Sequence, residues 1–93
     1  MNKSVTILIP CYNGQNYLKR CLDSCVSQTY QNLKILIVND GSTDDSQKII
    51  EEYMSKYQNI NLINQTNSGI SKTRNVLFAN TTTEYSFFLD VDD

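Results

Sequence analysis

Two stretches, VTILI over residues 5–9 and LKILIV over residues 33–38, constrain this chain more than any other feature. Each is a nearly continuous apolar and largely β-branched run, so a strand built from it has no polar face to turn toward water. Such strands must be covered on both sides, and the sequence between them supplies the covers. After Asn13 and Gly14, a cap-like pair, the residues Tyr17, Leu18, Cys21, Leu22, Cys25 and Val26 recur at helical spacing. After LKILIV, the segment STDDS offers N-cap side chains and first-turn acids to a helix with Ile49, Ile50, Tyr53, Met54 and Tyr57 on one face. Pro10 closes the first strand, Ile60 to Ile63 reads as a short third strand, Ser71 to Ala79 as a third helix, and YSFFL over 85–89 as a fourth strand. Strands alternating with helices through short loops require right-handed crossovers. The predicted class is therefore α/β, a three-layer α/β/α arrangement on a mainly parallel sheet of about four strands.

The chain has 93 residues, 40% of them hydrophobic, a single proline and no repeat or linker, which fits one domain. Its net charge of −2 and lack of a basic run argue against a nucleic-acid partner. Cys11, Cys21 and Cys25 have no CxxC spacing and there is no histidine, so a mixed zinc site is not expected and a reduced, cytoplasmic setting fits best. Cys21 and Cys25, at i and i+4, read as small buried hydrophobes. The start MNKSVTILIPCYNG carries one lysine and a short apolar stretch, too short for a secretory signal or a transmembrane segment.

In open parallel sheets, ligands bind beyond the carboxyl ends of the strands, near the reversal of strand order. The unusual polar residues follow strands: Tyr12 and Asn13, then Asn39 to Gly41, then Gln65 to Gly69, then Asp90 to Asp93. The opposite rim carries only turn sequences, TYQN, YQN and NTTTE. The rich edge has acids but no histidine, and Gly14, Gly41 and Gly69 are isolated, so neither GxGxxG nor GxxxxGK[ST] is present. Carboxylates suit a phosphate ligand only with a divalent cation between them, and Mg²⁺ or Mn²⁺ takes such oxygen ligands. Asp90 and Asp92, two apart in an extended segment, lean to one face as a D-x-D site requires, while Asp93 points away. An isolated D-x-D can equally be a strand-end cap or a solvated turn. Asp40, Ser42, Asp44 and Glu51 match calcium-loop offsets, but Asp45 stands where that loop needs glycine, so Asp44 and Asp45 read as first-turn acids. Asp40, beside Gly41, can accept from a ligand N–H or serve as a capping acid. Tyr12 can lie against a planar base or close the core. Arg74 can reach a diphosphate or pair at the surface, Lys72 faces solvent, and Tyr17, Tyr53, Tyr57 and Tyr85 are assigned to packing.

The segments VTILIPCYNGQNYLKRCLDSCVSQTYQNLKILIVNDGSTDDS, NQTNSGISKTRN and FFLDVDD, in this order, closely resemble the amino-terminal half of the family 2 glycosyltransferases. The resemblance implies the Rossmann-like A-type nucleotide-sugar fold and a donor that is a nucleotide-diphosphosugar, commonly a UDP-sugar, used with inversion. It assigns Pro10, Tyr12 and Asn13 to the base-binding first loop and Asp40 to the reading of the base, at N3–H for uracil. It places Arg74 near the nucleotide and matches Asp90, Val91 and Asp92 to D-x-D, with Asp92 on Mn²⁺ or Mg²⁺ and Asp90 by the ribose or a metal-bound water. Residues 1–93 would then be the nucleotide-sugar-binding half of the domain. The acceptor site and general base are expected beyond Asp93, leaving this chain little transfer activity alone. The family's roles include cell-wall and polysaccharide assembly, placing the full-length protein in the cytoplasm or at the inner face of the membrane. The fourth strand is expected to expose an edge and apolar surface around Phe87 and Phe88, favouring self-association. A non-catalytic α/β module, binding nucleotide or a protein partner through that edge, is the alternative.

Overall fold

The computed structural model describes residues 4–27 and 32–91. The elements alternate as expected: β1 (Val5–Cys11), α1 (Gln15–Val26), β2 (Leu33–Asp40), α2 (Ser46–Lys56), β3 (Ile60–Gln65), α3 (Ile70–Ala79) and β4 (Tyr85–Phe88). They form a four-stranded sheet of order β3-β2-β1-β4 in which each neighbouring pair is parallel. The class is α/β, as the apolar runs require.

Those runs are buried on both faces. Ile9, Cys11, Ile35 and Ile37 pack with Leu18, Cys21, Leu22 and Cys25 of α1 and Ile50 of α2. Leu8, Leu36 and Val38 point to the other face, where Leu77 of α3 covers them. Successive strand residues thus feed opposite cores, and α1 and α2 lie on one side of the sheet with α3 on the other. Cys21 and Cys25 are both buried within the first core, in the packing role expected of them. No helix among the described residues is long and apolar enough to cross a membrane.

β1, β2 and β3 run further than their apolar runs, whereas β4 stops at Phe88, one residue short of the expected Leu89. β1 continues through Pro10 to Cys11. Val5 N–H bonds toward β2, to Asn32 O, whereas Leu8 O accepts from Leu89 N–H beyond β4. Even-numbered β1 residues therefore face β4, and the N–H that Pro10 lacks would point where the β4 pairing has already ended at Leu8 and Phe88. β2 and β3 also extend, pairing Asn39 with Asn64 and Asp40 with Gln65. Their side chains satisfy one another across the strands: Asn39 Nδ2 donates to Asn64 Oδ1 at 3.0 Å and Gln65 Nε2 to Asp40 Oδ1 at 2.8 Å.

Two expectations are corrected. Helix α2 begins at Ser46, with Asp45 in the N-cap position, so Asp44 and Asp45 are not first-turn acids. Asp44 instead bridges two helix starts, its Oδ1 accepting from Ser46 N–H at 2.9 Å and its Oδ2 from Gln15 N–H at 3.1 Å. Of the tyrosines assigned to packing, Tyr53 is half-buried and its hydroxyl donates to Asp23 Oδ1 at 2.6 Å, but Tyr17, Tyr57 and Tyr85 are exposed. The buried stripe of α1 runs through Leu18, Cys21, Leu22 and Cys25, leaving Tyr17 at its margin.

From β1 the chain winds outward to β2 and β3 under α1 and α2, and α3 then carries it back across the other face to β4. Strand order reverses between β1 and β4, which opens a crevice at their carboxyl ends. At the outer side of β4, all four strand residues are exposed, Phe87 at 60%. Among the described residues β4 is an edge strand, and a sheet edge beside exposed aromatics is a template for strand pairing. Light scattering of the 93-residue chain is expected to give a mass that rises with concentration, and Phe87→Lys is expected to suppress the rise. A constant monomer mass for the unmodified chain would count against pairing through β4.

Candidate functional site at the carboxyl ends of the strands

Two adjoining pockets occupy the crevice. The first, of about 240 Å³, lies over the ends of β1 and β2 and is lined by Pro10, Tyr12, Asp40, Asn67, Ile70 and Thr73 among others. The second, of about 360 Å³, lies toward β4 and includes Tyr12, Asn13, Tyr17, Ile70, Asp90 and Val91. Pro10, Tyr12 and Ile70 belong to both, and Tyr12 and Ile70 are 53% and 54% exposed, so an apolar pair stands between the halves of one groove.

Asp40 forms the polar wall of the first pocket, and at 5% exposure it is a nearly buried carboxylate. Its oxygens collect N–H donors: Gln65 Nε2 at 2.8 Å and Ser68 N at 2.7 Å on Oδ1, and Gly69 N at 3.1 Å on Oδ2. Burial pushes the carboxyl pKa up, but these hydrogen bonds outweigh it and hold the group below its ordinary value. The loop over residues 66–69 is wrapped around this charge. Asn67 Nδ2 also donates to Asp40 O at 3.1 Å, and the loop passes so close to Gly41 that a Cβ there would lie 2.6 Å from Asn67 N. Gly41 (φ +72°) and Gly69 (φ +92°) both adopt backbone that favours glycine.

The loop after β1 is laced to the loop after β2. Asn13 sits in the left-handed region at φ +50°. Its N–H donates to Ser42 Oγ at 2.9 Å and its Oδ1 accepts from Thr43 N–H at 2.7 Å. Gly14 N–H donates to the buried Ser46 Oγ at 3.0 Å. Part of the Asn13 side chain is therefore committed to holding the loops, although the residue also lines the second pocket. Gly14 has a further constraint: a Cβ there would approach Val91 Cγ1 to 2.9 Å, so the segment after β4 rests directly on the start of α1.

The structure gathers Pro10, Tyr12, Asn13, Asp40, Asp90 and Val91 along one groove. Arg74 lines neither pocket; it lies one turn beyond Ile70, with its guanidinium carbon 5.5 Å from the Phe88 ring centroid, and Phe88 meets Phe78 edge-on at 5.0 Å. Asp92 and Asp93 lie outside the described residues. Among the described residues no group of three or more potential metal ligands occurs, and Asp90 is an exposed carboxylate on the groove. Gln65, Asn67, Ile70 and Thr73 have no individual role in the sequence reading, their only signal being their place at or soon after the end of the third strand.

The family model described as "Glycosyl transferase family 2" matches residues 6–93. Glycosyltransferase GlyA of Streptococcus pneumoniae serotype 4 is 43% identical over 93 residues, covering 100% of this chain and 13% of GlyA. The crystal structure of S. aureus TarS 1-349 in complex with UDP-GlcNAc matches with a TM-score of 0.88 and 31% identity, over 96% of this chain and 26% of that one. Mannosyltransferase PcManGT from Pyrobaculum calidifontis, in complex with GDP-Man and Mn²⁺, shares the fold at a TM-score of 0.90 and 23% identity, over 99% and 28% of the two chains. The chain thus spans between 13% and 28% of the length of these proteins.

Gly14→Ala is expected to push Val91 off α1, destabilising the fold by about 1–3 kcal/mol as overpacking does. Urea unfolding measures this, and an unchanged midpoint would remove Gly14 as the seat of the segment after β4. The depressed pKa of Asp40 gives a second expectation. Its ionised form contributes stability that is fully present above the ordinary value of 3.8 and is lost as pH falls through the lower native value. The stability advantage of the unmodified chain over Asp40→Asn should accordingly shrink as unfolding is measured from pH 7 down to about pH 2. A constant gap across that range would show the carboxylate to be unperturbed.

Proposed function

Because the chain belongs to glycosyl transferase family 2, we propose that it is the donor-binding part of a glycosyltransferase, taking a nucleotide-diphosphosugar for inverting transfer to a glycan or other acceptor. A UDP-sugar is the donor this groove suits best. The observation that carries this reading is Asp40, a buried carboxylate kept ionised at the wall of a pocket that also presents Tyr12 and Ile70. An acceptor oxygen beside an aromatic ring and an aliphatic side chain matches a flat pyrimidine with a ring N–H, and uracil offers one at N3. TarS, with 31% identity to this chain, is described as binding UDP-GlcNAc, which supports the same class of ligand here.

With the base in the first pocket, the ribose and diphosphate run over Pro10 and Tyr12 into the second, past Asn13, toward Asp90 and Val91. Asp90 fits a hard divalent cation, Mn²⁺ or Mg²⁺, because such ions take one or two carboxylate oxygens and complete their shell with phosphate and water. Asp90 and Asp92 of the D-x-D would hold it, and the cation would neutralise charge on the departing diphosphate. Arg74, resting on Phe88, is one turn of α3 from Ile70 and supplies a second positive group for the diphosphate. The acceptor site and the general base are assigned to polypeptide outside these residues, so residues 1–93 bind donor without transferring sugar at an appreciable rate. The setting that fits is cell-wall or polysaccharide assembly by a cytoplasmic protein, peripheral to the inner face of the membrane.

Titration calorimetry with UDP tests the reading. Binding is expected with Mn²⁺ present, to weaken sharply on chelation, and to weaken likewise in Asp92→Ala. Equal affinity with and without metal would sink the metal-assisted mechanism, and capture of a protein partner by a folded chain that binds no nucleotide would favour a non-catalytic module.

A further inference from the structure

We infer that Gln65 is the positioning residue that fixes which nucleobase the groove accepts, by holding the Asp40 carboxylate so that one chosen oxygen faces the ligand. This deepens the donor-binding reading and rests on it.

An ionised carboxylate has about four acceptor positions, two on each oxygen. On Asp40, Oδ1 is filled by Gln65 Nε2 at 2.8 Å and Ser68 N–H at 2.7 Å. Among the described residues Oδ2 takes Gly69 N–H at 3.1 Å, with the Thr73 hydroxyl also turned toward the carboxylate, and as the less occupied oxygen it is the one assigned to the ligand. Gln65 is itself fixed at both N–H groups, since Nε2 also donates to Thr73 Oγ1 at 3.1 Å. Thr73 is 1% exposed and its O–H donates to Gly69 O at 2.9 Å, which closes a ring of bonds through Gln65, Thr73 and Gly69 back to Asp40. The backbone sets the ring's dimensions, because Asp40 and Gln65 are register partners on β2 and β3.

The consequence is a pocket of fixed polarity. An acceptor stands at the base position, so a base with a ring N–H pairs there, whereas cytosine, with a ring acceptor, sets lone pair against lone pair. A site built to pair a polar group discriminates strongly against a ligand that leaves it unpaired. Gln65 makes this polarity a property of the frame and not of the residue-40 side chain alone. With an amide at position 40, the donors from Gln65 and Ser68 would select its oxygen for the Oδ1 place. That would turn its –NH₂ to the ligand, against the contrary preference of Gly69 N–H and of the Thr73 hydroxyl nearby.

Calorimetry with UDP and CDP on variants checked for native circular dichroism tests this. The unmodified chain is expected to favour UDP over CDP by about tenfold or more. Gln65→Met, close in shape but without donors, should bind UDP about tenfold more weakly and lose most of the preference. Asp40→Asn should invert the preference toward CDP, and adding Gln65→Met to it should bring the ratio back near unity. Gln65→Met with unchanged UDP affinity and ratio overturns the inference, and so does Asp40→Asn that still favours UDP. Either variant decides alone if the other does not fold. An unmodified chain that binds neither nucleotide overturns the donor-binding reading itself, which separates that failure from a failure of Gln65.

Discussion

Everything in this molecule follows from the fact that β1 and β2 have no face to show to water. Ile9 and Leu8 are adjacent in sequence and buried in different cores, as are Ile37 and Val38. A strand of this kind needs helices on both sides, and right-handed crossovers then leave little freedom in the winding. Two crossovers place α1 and α2 together, and the third sends α3 across the opposite face to bring β4 beside β1. The groove is a by-product of that reversal. The loop after β1 turns to the α1 face and the loop after β3 to α3 on the other, and the space between them opens above the strand ends where Pro10, Tyr12 and Ile70 lie, bordered toward β4 by Asp90 and Val91.

The same principle explains what was legible in the sequence. Element order, type and parallel pairing could be read because apolar runs and helical stripes carry them. The strand ends could not, because hydrophobicity stops at Ile9, Val38 and Ile63 while the ladder continues to Cys11, Asp40 and Gln65. The last residues of β2 and β3 are held by pairing between side chains on neighbouring strands, Asn39 with Asn64 and Asp40 with Gln65, and such pairing depends on register. Register is a tertiary quantity, invisible to a pattern read along one strand. The edge where the groove lies was therefore legible, while the side-chain partners of Asp40 were not.

Asp40 and Asp44 show why residue type alone misassigns acids. They are four apart, Asp40 ending β2 and Asp44 in the loop that follows, both engage backbone N–H groups, and in both the hydrogen bonds outweigh burial and lower the carboxyl pKa. Asp44 spends its oxygens on the starts of α1 and α2, joining two helices whose N-terminal amides would otherwise lack partners. Asp40 gathers donors from β3 and from the loop before α3, and it borders a pocket. The first is structural because its contacts close on the protein. The second has chemistry left over because one side of it opens on the groove.

The two pockets are mechanically linked through Gly14. Its N–H is tied to buried Ser46 in α2, and its missing side chain gives Val91 a seat at the start of α1. Val91 is β-branched and stiff, so its contact with Gly14 sets the height of the backbone on which Asp90 is carried. Asn13, one residue earlier, is pinned to the loop that follows Asp40. The Asp40 carboxylate and Asp90 after β4 are consequently referenced to the same short turn, residues 12–15. A frame of this kind suits a ligand that must be gripped at both ends, with a base at one pocket and a charged group at the other.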